Sequence, residues 1–150
     1  MGEFDIKVKK MFEALGEAKN MVLSTTLNNH VTSRMMSIII LENDFYFQTD
    51  KNFRKYEQIR GNHQVALCLD NVQIEGICHE VGKPIGSKEF CEQYEKFFKS
   101  SYERYTLMQN ERLFRIEPTF IQKWIYENGI PFVERFDFAQ KEYEKIQYKL

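Results

Sequence analysis

Pairs of turn-forming residues divide most of this chain into short apolar segments, and their spacing constrains the fold more than any other feature. Asn28-Asn29 tolerates the positive φ angles of a two-residue hairpin turn. Glu42-Asn43-Asp44 and Asp70-Asn71 interrupt later apolar runs, and Asn128-Gly129 is a strong hairpin signal. Strands joined by such short turns run antiparallel, so the sequence predicts a β-meander that can curl into a barrel.

The segments between the turns have the patterns of strands or of helices, which makes the chain mainly β with helices, an α+β protein. Gly76 lies within an alternating run and indicates a bulge or a close approach by another backbone or a ligand, while Pro118 marks an edge or a break. The predicted strands are residues 21–27, 30–41, 45–49, 64–69, 72–81, 113–116, 120–126 and 130–136. The predicted helices are residues 6–17, 51–60, 88–99 and 102–109, followed at 138–150 by a short helix or a tail that docks on a partner subunit.

Composition excludes several classes of protein. The 150 residues suit one domain, and 13 Phe and 8 Tyr supply a core without disulfides. Because 21 Lys and Arg oppose 22 Asp and Glu, no basic field favours nucleic acid, and the longest apolar run, residues 38–41, is too short to span a membrane. We therefore expect a cytoplasmic protein. The three Cys lack CxxC spacing and the three His are dispersed, so no metal site is predicted.

Residues 45–59 change from a strand pattern to a helix pattern and acquire positive charge. Thr49 and Asp50 offer side-chain oxygens to cap the helix predicted at 51–60. On that helix one face carries Lys51, Arg54, Lys55 and Gln58, while Phe53, Tyr56 and Ile59 can turn toward a core. Unpaired N–H groups, the helix dipole and these cations would suit a phosphate. The alternative is a solvated lysine face on a surface helix.

The same residues stand in an order that resembles a known family. Ser33-Arg34-Met35 in the second strand precedes the run 45–49, then 54–59, and finally Asn62, 65–69 and Gly76. This order resembles the flavin-binding split-barrel proteins related to pyridoxamine 5'-phosphate oxidase and the small general-stress flavoproteins, over roughly residues 21–82. The resemblance implies a six- to seven-stranded antiparallel split β-barrel of the FMN-binding type, forming one domain over residues 1–150.

The resemblance also implies a cofactor, FMN, and the residues that contact it. In the family, the matching arginine, threonine and Arg-Lys pair hold the FMN phosphate; here they are Arg34, Thr49, Arg54 and Lys55. Met35, Met36 and Ser37 match the strand beside the isoalloxazine ring, and Gln48 and Asn52 adjoin the same pocket in sequence. Trp124 and Arg135 loosely match a family Trp and Arg near the flavin.

Two positions depart from the family pattern. Ile39 replaces a second lysine of the vitamin-oxidising members, and Phe53 replaces a serine that many members have before the Arg-Lys pair, so phosphate affinity could be weaker. The resemblance to the substrate-binding tail of those oxidases is too faint to assign a pyridoxamine phosphate site, so their oxidase activity is not inherited. No acid or base for catalysis is identified.

The resemblance implies an oxidoreductase that acts on a small-molecule redox substrate through the flavin, as a homodimer with flavin at the subunit interface. One alternative is a non-catalytic module that binds flavin or haem. Another is a nucleic-acid-binding barrel with Tyr46 and Phe53 as stacking platforms, which the balanced charge disfavours.

Overall fold

The computed structural model describes residues 1–149 and contains, in that range, eight strands and four α-helices. The helices are α1 Glu3–Leu15, α2 Arg54–Gly61, α3 Lys88–Phe97 and α4 Lys99–Tyr105, and a short 3-10 turn covers Pro84–Gly86. The strands are β1 Ala18–Leu27, β2 His30–Leu41, β3 Asp44–Asp50, β4 Gln64–Leu69, β5 Val72–Glu80, β6 Glu111–Glu127, β7 Ile130–Asp137 and β8 Glu142–Gln147.

Six of the strands close into an antiparallel barrel. Their order is β3-β2-β1-β4-β5-β6, and a further pairing of β3 with β6 joins the two edges. Strands β7 and β8 continue the sheet outward from β6. The predicted α+β split barrel is therefore confirmed, with the predicted turns at its hairpins: Asn28, Asn43, Asp70 and Asn128 all have positive φ.

Strand β6 produces the split in the barrel. Its first part, residues 111–116, pairs with β3, and its second part, residues 120–127, pairs with β7. At Pro118, where the sequence predicts an edge or a break, the strand does not break, since it continues through this residue with a bulge opposite Gly76. Pro118 does lie at an edge, between the residues that pair with β3 and those that pair with β7. The Gly76 prediction is confirmed, since a Cβ there would lie 2.8 Å from the Glu117 carbonyl oxygen. One strand thus both closes the barrel and starts its extension.

The barrel core is aromatic and is covered at one end by α1. Phe47 and Phe114 stack with ring centroids 5.1 Å apart, and Phe12 of α1 packs 5.6 Å from Phe45. The helix buries Val8, Met11, Phe12 and Leu15. The apolar face of this amphipathic helix therefore packs on the barrel core.

The last segment differs from its prediction. Residues 142–147 form an edge strand paired with β7 rather than a short helix or a docking tail. Tyr143 packs 5.1 Å from Phe136, while most of the other side chains of β8 are exposed. The last predicted residue, Leu150, lies outside the described residues. Backbone pairing with β7, and not the hydrophobic periodicity of the segment itself, therefore makes residues 142–147 a strand.

Candidate functional site

The connection from β3 to α2 is a tight turn, and the helix starts later than predicted. The Asp50 carboxylate accepts a hydrogen bond from the Asn52 N–H at 2.8 Å, and the Phe53 N–H donates to the Asp50 carbonyl at 3.1 Å. The helix begins at Arg54 without a side-chain cap, so the predicted cap by Thr49 and Asp50 is wrong. Lys51 lies in the turn and does not share the helix face.

The face that α2 turns toward the barrel also differs in one residue from the prediction. Tyr56 contacts the Phe114 ring at 5.8 Å and Ile59 is buried, as predicted. Phe53 instead precedes the helix and is 55 % exposed. Its ring lies under the Lys55 ammonium, 4.7 Å from ring centre to Nζ.

Arg34 is held in a network that ties α2 to β1 and β2. Its guanidinium donates hydrogen bonds to Thr25 Oγ1 at 2.8 Å, to the Leu23 carbonyl at 3.2 Å and to Thr32 Oγ1. Both threonine hydroxyls donate in turn to Oε1 of the buried Gln58, at 2.6 and 2.8 Å. All these acceptors are neutral, so the Arg34 charge is fixed in place without being neutralised.

Three cations from these elements act on one another; we call Arg34, Arg54 and Lys55 the cation cluster. Burial and the charge of Arg54 lower the pKa of Arg34, and burial and the charge of Arg34 lower the pKa of Lys55. Among residues 1–149, none of the three forms an ion pair with a carboxylate. Positive charge therefore accumulates where an anion would relieve the repulsion.

A cavity of about 480 Å³ lies next to the cluster; we call it the β2–β3 cavity. Six of the nine predicted site residues are on its wall, namely Met35, Met36 and Ser37 of β2, Gln48 and Thr49 of β3, and Lys55 of α2. Residues of β2 and β3 and Lys55 therefore line the same cavity. The volume is in the range of pockets that bind small molecules.

The other three predicted residues are not on this wall. Arg34 is half-buried in its network and is linked to the cavity only by its electrostatic effect on Lys55. Asn52 and Arg54 are exposed on the turn and at the first position of α2. Trp124 and Arg135 lie on the extension instead, where Trp124 packs against Tyr148 and Arg135 faces Glu144 at 3.8 Å.

Helices α3 and α4 and the start of β6 complete the cavity with residues that the sequence did not indicate. Those side chains are Tyr94, Ser101, Tyr105, Met108 and Glu111. The most distinctive is Glu111, which pairs directly with Asp50 across the β3–β6 ladder. Burial, followed by repulsion from Asp50, raises the pKa of Glu111 to about 7. This carboxyl is therefore near half-ionised at neutral pH.

Ile39, which stands where the resemblance expects a second lysine, has no access to the cavity. It is fully buried in a cluster with Phe90, Tyr94 and Leu113, which joins α3 to the barrel. Tyr46 packs against the same cluster, whereas Phe53 is exposed at the cavity. The two proposed stacking platforms therefore lie in different surroundings, which gives no support to a nucleic-acid-binding surface.

Other features of the described part of the chain suit an anion or a metal less well. A larger open hollow of about 810 Å³ beside α1 is bounded by Asp5, Glu13, Glu17 and Glu42, which would repel phosphate. In residues 1–149 no group of three His, Cys, Asp or Glu side chains is arranged around a metal site. Nor does any helix in this range have the length and apolarity to cross a membrane; the cytoplasmic location stays a prediction.

Comparison with known proteins gives matches of structure only. No protein-family model matches the sequence, and no curated protein sequence is recognisably similar to it. General Stress Protein 26 from Bacillus anthracis str. Sterne is 22 % identical, with 80 % of this chain and 92 % of that chain covered and a TM-score of 0.59. The pyridoxamine 5'-phosphate oxidase-related, FMN binding protein from Nostoc punctiforme PCC 73102 is 14 % identical, with 98 % and 93 % covered and a TM-score of 0.59.

A third similar structure belongs to a protein of another function. HutZ, the heme storage protein from Vibrio cholerae, is 14 % identical, with 78 % of this chain and 91 % of that chain covered and a TM-score of 0.58. At such low sequence identity, structural similarity shows a common fold but does not identify the ligand. The resemblance seen in residues 21–82 is confirmed at that level: the chain has the split-barrel fold of the pyridoxamine 5'-phosphate oxidase-like, FMN-binding proteins.

Proposed function

We propose that this protein binds FMN in the β2–β3 cavity, with the phosphate at the cation cluster. The observation that carries the proposal is the mutual repulsion of Arg34, Arg54 and Lys55, none of which forms an ion pair within residues 1–149, beside a cavity large enough for a cofactor. The Arg34 guanidinium is held in place by neutral partners, so its charge is already positioned before a dianion binds. The FMN-binding protein from Nostoc punctiforme has the same fold, which agrees with this proposal.

The other predicted residues have roles that follow from their positions. The Thr49 hydroxyl lies on the wall near Lys55 and can donate to a phosphate oxygen. Met35, Met36 and Ser37 present one strand along the cavity, where apolar side chains and backbone groups would contact the ring of the flavin. The Thr106 hydroxyl donates a hydrogen bond to Oε1 of Gln48 at 2.9 Å, and this contact fixes the orientation of the Gln48 amide group. Asn52 and Arg54 would act from the rim.

We further propose an oxidoreductase that acts on an unidentified small molecule. Bound FMN would supply the acceptor or donor of a hydride or of electrons. The chain's own residues would hold the phosphate, exclude water with the apolar wall and leave the opening for a substrate. The cavity residue that can exchange a proton near neutral pH is Glu111.

We propose that two copies associate over this opening and place the flavin at their interface. Four large apolar side chains on the cavity wall are exposed: Met35 at 62 %, Phe53 at 55 %, Met108 at 52 % and Tyr105 at 45 %. A contiguous exposed apolar surface of this kind is typical of an interface. A second copy would cover it and enclose the ring.

The second candidate is a non-catalytic module that binds haem or stores flavin. The likeness to the heme storage protein HutZ favours it. The side chains on the cavity wall that could ligate haem iron are Met35, Met36, Met108, Tyr94 and Tyr105. His30, His63 and His79 are not among the residues of that wall.

One experiment separates the candidates. The protein is purified without added cofactor, its absorption spectrum is recorded, and the small molecule released on denaturation is identified by mass spectrometry. FMN supports the proposal, and loss of the flavin absorption on anaerobic addition of NADH or NADPH supports the reductase. Released haem would favour the second candidate. A colourless protein that also fails to bind added FMN would overturn the flavoprotein assignment.

A further inference from the structure

Glu111 is a buried carboxyl group on the wall of the β2–β3 cavity. Its residue is 5 % exposed, and it stands at the start of β6, directly opposite Asp50 of β3. Paired residues of an antiparallel ladder direct their side chains to the same face of the sheet. The two acidic side chains therefore lie side by side at one end of the cavity, and both are on its wall.

The groups that face Glu111 come from every element around the cavity. Asp50 from β3 disfavours its ionised form, while Lys55 from α2 and a hydrogen bond from the Gln48 side chain favour it. Tyr94 of α3 and Tyr105 at the end of α4 also line the wall. No ion pair joins Glu111 to Lys55. The ammonium group is thus near the carboxyl but remains available to another anion.

A phosphate held by Lys55 would change this balance. The dianion would occupy the cation that favours ionised Glu111 and would add negative charge beside a carboxyl already facing Asp50. Three anionic groups in a small, poorly solvated space repel strongly, because burial weakens screening by water. Of the phosphate, Asp50 and Glu111, it is Glu111 that can lose its negative charge by protonation at little cost, because its pKa is already near neutral pH.

We propose that Glu111 takes up a proton when a phosphate ester enters the β2–β3 cavity, so that the site binds its ligand in the form with neutral Glu111. This inference rests on the proposed function, since it assumes a phosphate beside Lys55. The proton comes from water or buffer and returns there when the ligand leaves. The pKa of about 7 for Glu111 before binding means that the effect falls within the physiological range.

Binding is then linked to pH in a defined way. The apparent affinity equals the intrinsic affinity multiplied by the fraction of protein with neutral Glu111. Above its pKa that fraction falls about tenfold per pH unit, so wild-type affinity falls by the same factor. Glu111→Gln keeps the size and a hydrogen-bonding amide but cannot ionise, so its affinity does not follow this dependence.

The test is a calorimetric titration of the full-length protein with FMN at about pH 8, where the ligand phosphate is already dianionic. Two buffers with different heats of ionisation are used, because the difference in observed heat counts the protons taken up. Riboflavin, which lacks the phosphate, is the matched ligand. We expect FMN binding to take up close to one more proton in wild type than in Glu111→Gln, and riboflavin binding to show no such difference. We also expect Glu111→Gln to bind FMN about tenfold more tightly than wild type at this pH.

The outcomes separate this inference from the proposed function. FMN binding with equal proton uptake in wild type and Glu111→Gln would overturn the role of Glu111 while leaving the FMN site intact. Equal uptake with FMN and riboflavin would also overturn it, because the phosphate would then not be the trigger. Failure of the wild-type protein to bind FMN would overturn both. If Glu111→Gln fails to fold, Asp50→Asn is compared with wild type at about pH 7 instead: it lowers the pKa of Glu111, so more of the variant is ionised before binding and it should take up more protons with FMN than wild type does, and an equal or smaller uptake would contradict the proposal.

Discussion

The Lys55 ammonium lies 4.7 Å from the centre of the Phe53 ring at the opening of the β2–β3 cavity. The contact depends on Phe53, which stands where many members of the resembled family have a serine. A ring at this distance attracts a cation through its negative face. Phe53 therefore holds Lys55 in one position, and a phosphate has to compete with that contact.

Replacing Phe53 by serine should strengthen FMN binding. The exposed cation–π contact contributes about 0.5–1 kcal/mol, so its removal corresponds to a gain of roughly two- to fivefold in affinity. Fluorescence titration with FMN measures the change. Phe97→Ser is the matched control, because Phe97 is also exposed and lies 5.1 Å from the neighbouring Lys96 ammonium, away from the cavity. Weaker binding by Phe53→Ser would mean that the ring itself contacts the ligand.

Removing a cation of the cluster should weaken FMN binding. We expect Arg34→Ala and Lys55→Ala each to lose about 1.5–3 kcal/mol of binding free energy, the scale of a charge-assisted hydrogen bond. Arg54 is exposed at the rim, so Arg54→Ala should lose less, under about 1 kcal/mol. Lys88→Ala removes an exposed cation of α3 and should have no effect.

Arg34 needs a second control because it also holds β1, β2 and α2 together. Arg34→Lys keeps the charge but loses the fork of donors to Thr25, Thr32 and Leu23. Thermal unfolding without ligand separates loss of stability from loss of affinity. Unchanged flavin retention in both Arg34→Ala and Lys55→Ala would contradict the proposed phosphate site.

The proposed dimer predicts that a charge at Met35 disrupts association. Met35 is 62 % exposed on the cavity wall, so in the free chain Met35→Lys should cost little stability. At the core of an interface a buried lysine without a partner is costly, and we expect the variant to dissociate at concentrations where wild type is dimeric. Sedimentation velocity measures this. Ile85→Lys, at an exposed apolar residue outside the cavity, should leave the mass unchanged; a monomeric wild type would contradict the dimer.

Local patterns predicted the barrel well because its strands are joined by short turns. Asn28 and Asn29 adopt the positive φ angles that their side chains tolerate, so the β1–β2 hairpin follows from a few adjacent residues. The bounds of β2 and β4 agree with the prediction for the same reason. The start of α2 does not, because the Asp50 carboxylate bonds to the Asn52 N–H and forms a turn before the helix.

The candidate site could be predicted only in the part that adjacent residues encode. Met35 to Ser37 and Gln48 to Lys55 lie in two neighbouring strands and one helix, and six of the nine predicted residues share a wall. Glu111 and Tyr94 reach that wall through the β3–β6 closure and the packing of α3. These contacts join segments far apart in the chain, and no local pattern in a single sequence specifies them.

Gly76 should tolerate no side chain, because β5 approaches β6 closely at the bulge. In Gly76→Ala the Cβ would lie 2.6 Å from Ile116 Cγ2 and 2.8 Å from the Glu117 carbonyl oxygen. The backbone has to move, and we expect a loss of about 1–3 kcal/mol in unfolding free energy by urea denaturation. Gly86→Ala is the control, since nothing lies within 4 Å of a Cβ there. Equal stability of the two variants would contradict the close approach.

Glu111 should make the stability of the protein depend on pH in a direction opposite to that of a salt-bridged carboxylate. Its pKa rises from 4.5 to about 7 on folding, mainly through burial. The folded state therefore binds this proton more tightly than the unfolded state, and the resulting stabilisation is complete below about pH 4.5 and is lost as the pH rises through about 7. The pKa difference corresponds to about 3 kcal/mol.

The measurement compares wild type with Glu111→Gln by urea unfolding across this pH range, without ligand. Other carboxylates affect both proteins equally, so the difference between them isolates Glu111. We expect wild type to lose about 3 kcal/mol relative to Glu111→Gln between about pH 4 and about pH 8, because only wild type has to ionise a buried group. A difference that stays constant with pH for Glu111→Gln would mean that Glu111 ionises without cost in the folded protein, and this prediction would be wrong.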